Sequence, residues 1–205
     1  MRGVVVIFVK APIAGRVKTR LARNLGPARA AALFRCLTRQ TIAEASKGDW
    51  RLVLAIDPPA AMHGFSTVWP PHLQRRRQAR GDLGARMAAA FASAPKGPVV
   101  IIGADAPGFR ARHLRQAFRA LAGNDAVFGP TDDGGYWLIG LSGWRAAPNI
   151  FKGVRWSTRH ALADSAASLP KTFRTALIDR LRDIDDFADL KALGPRAMRR
   201  SVARL

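Results

Sequence analysis

The chain has 205 residues, 48% of them hydrophobic, which suits one globular domain, and no apolar run approaches the ~20 residues of a membrane span. Lys10 interrupts the first apolar run, Val4–Val9, too early for a signal peptide, and the single cysteine, Cys36, excludes an intramolecular disulfide framework, so we expect a cytoplasmic protein. The net charge of +20, from 34 Lys and Arg against 14 Asp and Glu, favours polyanionic partners such as nucleic acid, an anionic membrane or phosphorylated ligands. Basic residues nevertheless cluster only at Arg75–Arg77 and in a tail of about residues 195–205.

Strand and helix patterns alternate along the chain. Short apolar or β-branched runs predict strands at Gly3–Lys10, Arg51–Asp57, Thr67–Trp69, Pro98–Asp105, Asp125–Phe128, Tyr136–Leu141 and Thr175–Ile178. Helical spacing predicts helices at Pro27–Ser46, Asp82–Ala94, Arg112–Gly123, Trp156–Leu169 and within Asp183–Gly194. This alternation predicts a single α/β domain with a mostly parallel sheet covered by helices on both faces.

The segments between these elements carry turn and capping signals. The Pro- and Gly-containing segment Ala11–Leu21 predicts a loop, and residues 60–80 predict a loop-rich region around the short strand. Asp82 is placed to cap the N-terminus of one helix, and Ser157 or Thr158 is placed to cap another.

Ligands of open α/β sheets bind beyond the carboxyl ends of the strands, and the loop after the first strand is rich in cations. It contains Lys10, Arg16, Lys18 and Arg20, and Gly15 would let the backbone approach a ligand closely. Such residues pair with phosphate oxygens, although neither a Walker A nor a dinucleotide-binding pattern is present. The alternative is a solvated basic turn.

Asp105 directly follows the apolar run Val99–Ile102 and two small residues, so its carboxylate should emerge at a strand end. Mg²⁺ is often held there by one or two carboxylates together with substrate phosphates. The alternative role is a cap for the turn before the next helix, helped by Pro107.

Adjacent carboxylates, Asp132 and Asp133, precede a glycine pair between two predicted strands. Their mutual repulsion calls for a cation, which could be an arginine, a metal or part of a substrate. Asp-Gly is also a favoured hairpin turn, and the two interpretations are compatible. Asp82 and Arg86 form a further candidate pair, whose spacing of four equally suits a helix salt bridge.

Together these groups predict a transferase that acts on a nucleoside diphosphate or triphosphate, with a metal ion neutralising the phosphates. Other enzyme classes have little support, since the chain lacks G-x-S-x-G and H-E-x-x-H, and its four histidines are scattered. Without zinc-ligand spacing or an aromatic-basic RNA-binding signature, a nucleic-acid partner is the less favoured interpretation of the charge.

Several motifs, in order, resemble a known bacterial family. These are KAPIAGRVKTRL, GDLGARM, GADAP, GPTDDGGYWLIG, FKGVRWST and DIDDFADL, which cover the chain from Val4 to about Leu193. They resemble the glycosyltransferase-A-like proteins grouped as domain of unknown function 2064, some of which are called rSAM/selenodomain-associated transferase 1. The chain has Ala106 and Gly108 where that family usually has cysteine and aspartate, and Asp132 where it usually has glutamate.

The resemblance implies a Rossmann-like nucleotide-diphospho-sugar transferase (glycosyltransferase-A) fold and assigns roles to residues. Lys18, Thr19 and Arg20 would contact the nucleotide phosphates, and Asp105 would bind Mg²⁺ or Mn²⁺. Asp132 and Asp133, the candidate catalytic residues, would line the side of the acceptor or of a second metal.

We therefore expect transfer from a nucleotide-activated donor, favouring a nucleotide sugar, to a small-molecule acceptor. The alternatives are nucleotidyl transfer to a phosphorylated small molecule, as in guanylyltransferases, and a non-catalytic basic binding module that keeps the fold.

Overall fold

The structure is a computed structural model that describes residues 3–182 together with residue 189. Its strands are β1 Val4–Lys10, β2 Arg51–Asp57, β3 Gln74–Arg77, β4 Val99–Gly103, β5 Ala126–Pro130, β6 Tyr136–Leu141 and β7 Thr175–Leu177. Its helices are α1 Thr19–Leu25, α2 Pro27–Ala45, α3 Leu83–Ala92, α4 Ala111–Leu121 and α5 Ala161–Ala167, with a 3₁₀ turn at Pro59–Met62. Apart from Asp189, the helix expected within Asp183–Gly194 and the basic tail lie outside the described residues.

The described strands form one sheet in the order β3-β2-β1-β4-β6-β5-β7. β6 runs antiparallel to both of its neighbours, and the other pairs are parallel. β1 lies near the centre, where Val6 is in register with Val53 of β2 and Ile101 of β4. An unbroken β-branched run suits this place because both faces of a parallel sheet are buried.

Helices cover both faces, as the alternation of elements predicted. Val5 and Ile7 of β1 belong to a core shared with α2 and α4, whereas Val4 and Val6 belong to a core shared with α3 and α5. Successive strand residues point to opposite faces, so a single apolar run supplies both cores. Within the described residues, no helix has the length and apolarity needed to cross a membrane.

The cation-rich loop is shorter than predicted, because its end forms α1. Lys18 adopts a left-handed conformation, with φ 47° and ψ 46°, directly before the first helical residue, Thr19. Leu21 is fully buried, so packing stabilises a helix that lacks a side-chain cap.

The strand predicted at Thr67–Trp69 is wrong, and the third strand is instead the arginine cluster. The amides of Val68 and Trp69 both donate to Phe65 O, forming a turn. Arg75 of β3 donates to the carbonyl of Trp69 at 3.1 Å and to a carbonyl of the 3₁₀ turn at 2.8 Å. Both carbonyls lie outside the four residues of β3, which are polar and therefore gave no strand signal of their own.

The last described helix begins later than predicted, with His160 rather than Ser157 or Thr158 at its N-cap. Thr158 Oγ1 accepts from His160 N–H at 3.2 Å and donates to Arg155 O at 2.8 Å, so it stabilises a turn before the helix. By contrast, the predicted cap of α3 is confirmed, because Asp82 Oδ1 accepts from Ala85 N–H at 2.8 Å.

Candidate active site

The connectivity of the sheet places a crevice between the carboxyl ends of β1 and β4. From β1 the chain moves outward on one side to β2 and β3, and β4 then joins the other side of β1. Loops that leave two such neighbouring strands in opposite directions leave space for a ligand. The cation-rich loop follows β1, and Asp105 follows β4.

Backbone hydrogen bonds, one to β2 and one within the loop, hold the loop after β1 in place. Ala11 N–H donates to Asp57 O of the neighbouring strand at 2.7 Å, and Arg16 N–H donates to Ile13 O at 3.0 Å. Gly15 has φ +78°, and no atom lies within 4 Å of the position that a Cβ would take. The loop therefore turns back over the sheet edge and leaves free volume beside Gly15.

An ion pair joins the two loops. Lys18 Nζ lies 2.8 Å from Asp105 Oδ2, and the Lys18 side chain is only 5% exposed, whereas that of Asp105 is 33% exposed. Thr41 of α2 supports the Asp105 loop from below, since its hydroxyl donates to Ala104 O at 3.2 Å. A cation and a carboxylate thus stand side by side at the carboxyl ends of β1 and β4, the switch point where the strand order reverses.

A second polar group forms another wall of the crevice. Arg86 Nη1 lies 3.4 Å from Asp57 Oδ2 and 3.4 Å from Gln78 Oε1, and Arg86 Nε donates to Gly81 O at 2.9 Å. Arg86 therefore pairs with the end of β2, while Asp82 caps its own helix. Sequence analysis did not select Asp57 or Gln78 for the site, although Asp57 stands at a strand end as Asp105 does.

Lys18, Asp105, Arg86 and Gln78 line a cavity of about 680 Å³. Its lining includes the predicted residues Lys10, Lys18, Thr19, Arg20, Arg86 and Asp105. Arg16, Gln78 and Ser157 also contribute to the wall. The lining thus combines several cations with one carboxylate, a suitable environment for a polyphosphate. Gly15 and Asp82 stand beside lining residues without lining the cavity themselves.

The Asp132–Gly135 loop lies outside the lining of this cavity and turns between β5 and β6, as the hairpin interpretation predicted. Asp133 Oδ1 accepts from Thr131 Oγ1 at 2.6 Å and from Gly135 N–H at 3.0 Å, so this carboxylate closes the turn.

The neighbouring carboxylate of Asp132 meets the cationic partner that sequence analysis called for. It pairs with Arg182 at 3.2 Å and lies 3.8 Å from Arg180, and all three side chains are about half exposed. Catalytic roles for Asp132 and Asp133 stay predictions.

The segment of residues 155–162 links this loop to the cavity. Leu162 N–H donates to Gly134 O at 3.0 Å, and Ser157 of the same segment lines the cavity. Arg155 anchors the segment to α5 through Asp164, with contacts of 2.8 and 2.9 Å that also lower the pKa of Asp164 to about 2. The same segment therefore contacts the acidic loop at one end and lines the cation-rich cavity at the other.

Asp105 is the residue able to hold a divalent metal ion in this cavity. Within the part of the chain that the structure describes, no group of three or more His, Cys, Asp or Glu side chains is arranged for a metal. One carboxylate fits Mg²⁺ or Mn²⁺ when substrate phosphates and water complete the coordination. The donor set thus fits a metal that arrives with a nucleotide.

His113 positions the helix that follows Asp105. Its Nδ1 accepts from Arg110 N–H at 3.0 Å, and its ring packs against Trp137 with centroids 5.6 Å apart. Burial, followed by the charge of Arg112, lowers the pKa of His113, so the imidazole is neutral at pH 7. His113 therefore has a packing role at this position.

A comparison with known families finds one family model that matches more than half of this chain. A family model described as an uncharacterized protein conserved in bacteria (DUF2064) matches residues 41–158. No protein in the curated set matches the chain.

Solved structures share the whole fold. A candidate nucleotide-diphospho-sugar transferase from Desulfovibrio desulfuricans G20 is similar, with 27% identity and a TM-score of 0.86 over 100% of this chain and 94% of that one. The inositol-1-phosphate CTP transferase from T. maritima has 13% identity and a TM-score of 0.61 over 98% and 96%. The manganese complex of Rv0371C from Mycobacterium tuberculosis H37Rv has 16% identity and a TM-score of 0.54 over 94% and 98%. The predicted nucleotide-diphospho-sugar transferase fold is thus confirmed.

Proposed function

Since the chain belongs to the DUF2064 family of bacterial proteins, whose members are described as uncharacterized, we propose from its cavity that it is a transferase using a nucleotide-activated donor. The observation that carries the proposal is the Lys18–Asp105 ion pair at the switch point, inside a cavity lined by further cations. The similarity to a candidate nucleotide-diphospho-sugar transferase supports the same class of donor.

The cations bind and orient the donor. Lys18 lines the cavity together with Arg16, which precedes it in the loop, and Arg20, which follows it in α1, so all three are placed to contact phosphate oxygens. Because Lys18 is buried and its ammonium is balanced by Asp105, its position is set before a ligand arrives. Such preorganised charge stabilises negative charge developing on a leaving phosphate.

Asp105 completes the phosphate site as the protein ligand of a divalent ion. Mg²⁺ or Mn²⁺ held by Asp105 would neutralise phosphate charge and act as a Lewis acid on the leaving group. Arg86, held by Asp57, would orient the donor from the opposite wall. Asp133 and Asp132 would face a small-molecule acceptor through the segment that contains Ser157.

Transfer of a sugar from a nucleotide sugar is the favoured reaction, because the most similar of the solved structures reported above is a candidate for it. Nucleotidyl transfer to a phosphorylated small molecule is the second candidate, because a CTP transferase shares the fold. The leaving group separates them, since a nucleotide sugar releases a nucleoside diphosphate whereas nucleotidyl transfer from a triphosphate releases pyrophosphate.

A thermal-shift panel tests the proposal. Wild-type protein is heated with nucleoside triphosphates and nucleotide sugars, each with and without Mn²⁺. A ligand at 100 times its Kd stabilises by about 2.7 kcal/mol, which corresponds to a rise in Tm of roughly 5–10 °C for a chain of this size. We expect this rise with one group of nucleotides, in the presence of Mn²⁺.

Two variants sharpen the panel. Asp105→Asn keeps the size of the side chain but removes its charge, so the Mn²⁺-dependent part of the rise should disappear. Asp49→Asn, whose side chain borders a separate cavity, is the matched control and should respond like the wild type. If no nucleotide raises Tm, or Asp105→Asn responds like the wild type, the proposal is wrong.

A further inference from the structure

A second cavity, of about 360 Å³, lies between α3 and the sheet on the face opposite to α2 and α4. It extends along the strands from Val4, at the start of β1, to Phe8 near its end. Its volume falls within the ~300–1,000 Å³ typical of small-molecule sites. The proposed nucleotide-dependent reaction does not use this cavity.

The sequence of α3 explains why this space is open. Ala89, Ala90 and Ala94, on and just after α3, line this cavity on one side, and Val53 and Ala55 of β2 line it on the sheet side. On the opposite face, α2 and α4 fill the corresponding space with leucine, isoleucine and phenylalanine side chains. Small residues on both walls therefore leave an apolar slot between one helix and the sheet.

Of the arginines that line this slot, Arg51, Arg76 and Arg77 have no carboxylate partner within residues 3–182, and Arg51 and Arg76 are hydrogen-bonded to neutral acceptors. Arg51 Nη2 donates to Gln74 Oε1 at 2.6 Å, and Arg76 Nη1 donates to Ser93 O at 3.3 Å. Both acceptors are neutral, and within residues 3–182 neither arginine is paired with a carboxylate. A mobile anion would therefore gain two charge-assisted hydrogen bonds at this point.

We propose that this cavity binds an anionic amphiphile with an unbranched aliphatic tail. The acidic head pairs with Arg51 and Arg76, and the tail lies between α3 and the sheet and points toward Phe8. Apolar walls of this kind bury methylene groups, each contributing ~0.8 kcal/mol, and the arginines select a charged head over a neutral one. A carboxylate and a phosphate monoester share this chemistry.

The tail would end at the wall of the nucleotide cavity. Phe8, Gln78 and Arg86 line both cavities, so they form the partition between the two. Arg86 is already paired with Asp57 on the nucleotide side. We therefore expect the acidic head group to bind at Arg51 and Arg76, at the end of the slot farther from the nucleotide cavity.

Calorimetric titration without nucleotide tests the inference. Decanoate, decyl phosphate and decanol share a tail and differ in their head groups. We expect decanoate or decyl phosphate, or both, to bind at least about tenfold more tightly than decanol, since charge-assisted hydrogen bonds are roughly twice as strong as neutral ones. The tighter of the two anions identifies the head group. If neither anion binds, or decanol binds equally well, the inference is wrong.

Matched variants localise the binding. Ala90→Leu fills the slot and should weaken both anions by at least about tenfold, since ~1.4 kcal/mol corresponds to a factor of ten. Ala92→Leu places the same side chain at an exposed position of α3 and should leave binding unchanged. Arg51→Gln should weaken the anions but not decanol. Melting curves report whether each variant is folded, and equal affinities for Ala90→Leu and Ala92→Leu would overturn the assignment.

Because this titration contains no nucleotide, its outcome is separate from that of the thermal-shift panel. Binding of the amphiphile does not require transferase activity, and a nucleotide response does not require the amphiphile.

Discussion

At the residue scale, the site depends on single side chains held in unusual places. Lys18 is a non-glycine residue in the left-handed region, and its ammonium is nevertheless buried against Asp105. Both features cost free energy, and strained residues of this kind concentrate at functional sites. Glu44, the one glutamate of the chain, is also placed unusually. It belongs to α2, but its side chain caps the N-terminus of another helix.

Glu44 links α2 to the N-terminus of α4. Its Oε2 accepts from Ala111 N–H at 3.1 Å, and Lys47 pairs with its other oxygen. Burial opposes ionisation, but the hydrogen bonds from Lys47 and Ala111 outweigh burial, so the pKa of Glu44 is lowered. A lowered pKa means that the ionised form stabilises the fold at neutral pH and that this contribution is lost as the pH falls through the folded-state pKa.

Glu44→Gln should therefore destabilise the protein by about 1 kcal/mol at pH 6, since a neutral amide replaces a charged acceptor at a helix N-terminus. Urea unfolding of wild type and variant at pH 6, 5 and 4 measures the difference. We expect an equal difference at pH 6 and 5 and a smaller one at pH 4, near the ordinary glutamate pKa of ~4.3. A difference that is independent of pH would exclude an ionised cap.

At the element scale, the β5–β6 hairpin and α5 act as one unit. Gly134 has φ +83°, and a Cβ there would lie 2.2 Å from the carbonyl oxygen of Arg159. The glycine thus allows the hairpin turn to pack against the segment that leads into α5. The Asp-Gly pattern predicted the turn, but the close approach to Arg159 depends on residues 25 positions along the chain, which no local pattern reports.

Gly134→Ala should lower the free energy of unfolding by ~2–5 kcal/mol, because a left-handed alanine costs ~1–2 kcal/mol and overpacking costs a further ~1–3. Gly153→Ala is the control, since Gly153 has φ +76° but no atom within 4 Å of a Cβ. It should show only the conformational cost. Equal losses in urea unfolding of the two variants would mean that the contact with Arg159 is unimportant.

Other elements show the same division between local and distant causes. β1 and β2 were predicted at their observed places because their apolar runs carry the strand signal themselves. α1 and β3 were not, because α1 depends on the burial of Leu21 and β3 depends on the carbonyls that Arg75 reaches. Tertiary contacts override weak local preference in both cases.

At the scale of the whole molecule, the chain combines a nucleotide-type crevice with a net charge of +20. The cavity uses only a few of the cations, and exposed arginines continue along the outer faces of α2 and α4, such as Arg35, Arg39, Arg112 and Arg119. A surface of this kind attracts any polyanion, whatever the active site does.

Duplex DNA should consequently bind at low salt with a steep salt dependence. Fluorescence anisotropy at 50 and 200 mM salt measures the affinity, and 6–10 phosphate contacts would give a loss of ~10³–10⁵-fold between these concentrations. Asp105→Asn should not weaken this binding, since Asp105 lies in the nucleotide cavity. Tight DNA binding that survives 200 mM salt would favour the non-catalytic basic module instead.

The sequence by itself determined the class of fold, the central strands and the loops that carry cations and Asp105. These features follow from short-range patterns, namely apolar runs, glycine and proline punctuation, and charged residues at strand ends. The tertiary structure decided which side chains are partners. Lys18 pairs with Asp105, Arg86 pairs with Asp57, and Asp132 pairs with Arg182, which lies 50 positions along the chain. The choice of partners depends on how strands order in the sheet and how loops pack across it, and these are properties of residues far apart in the chain.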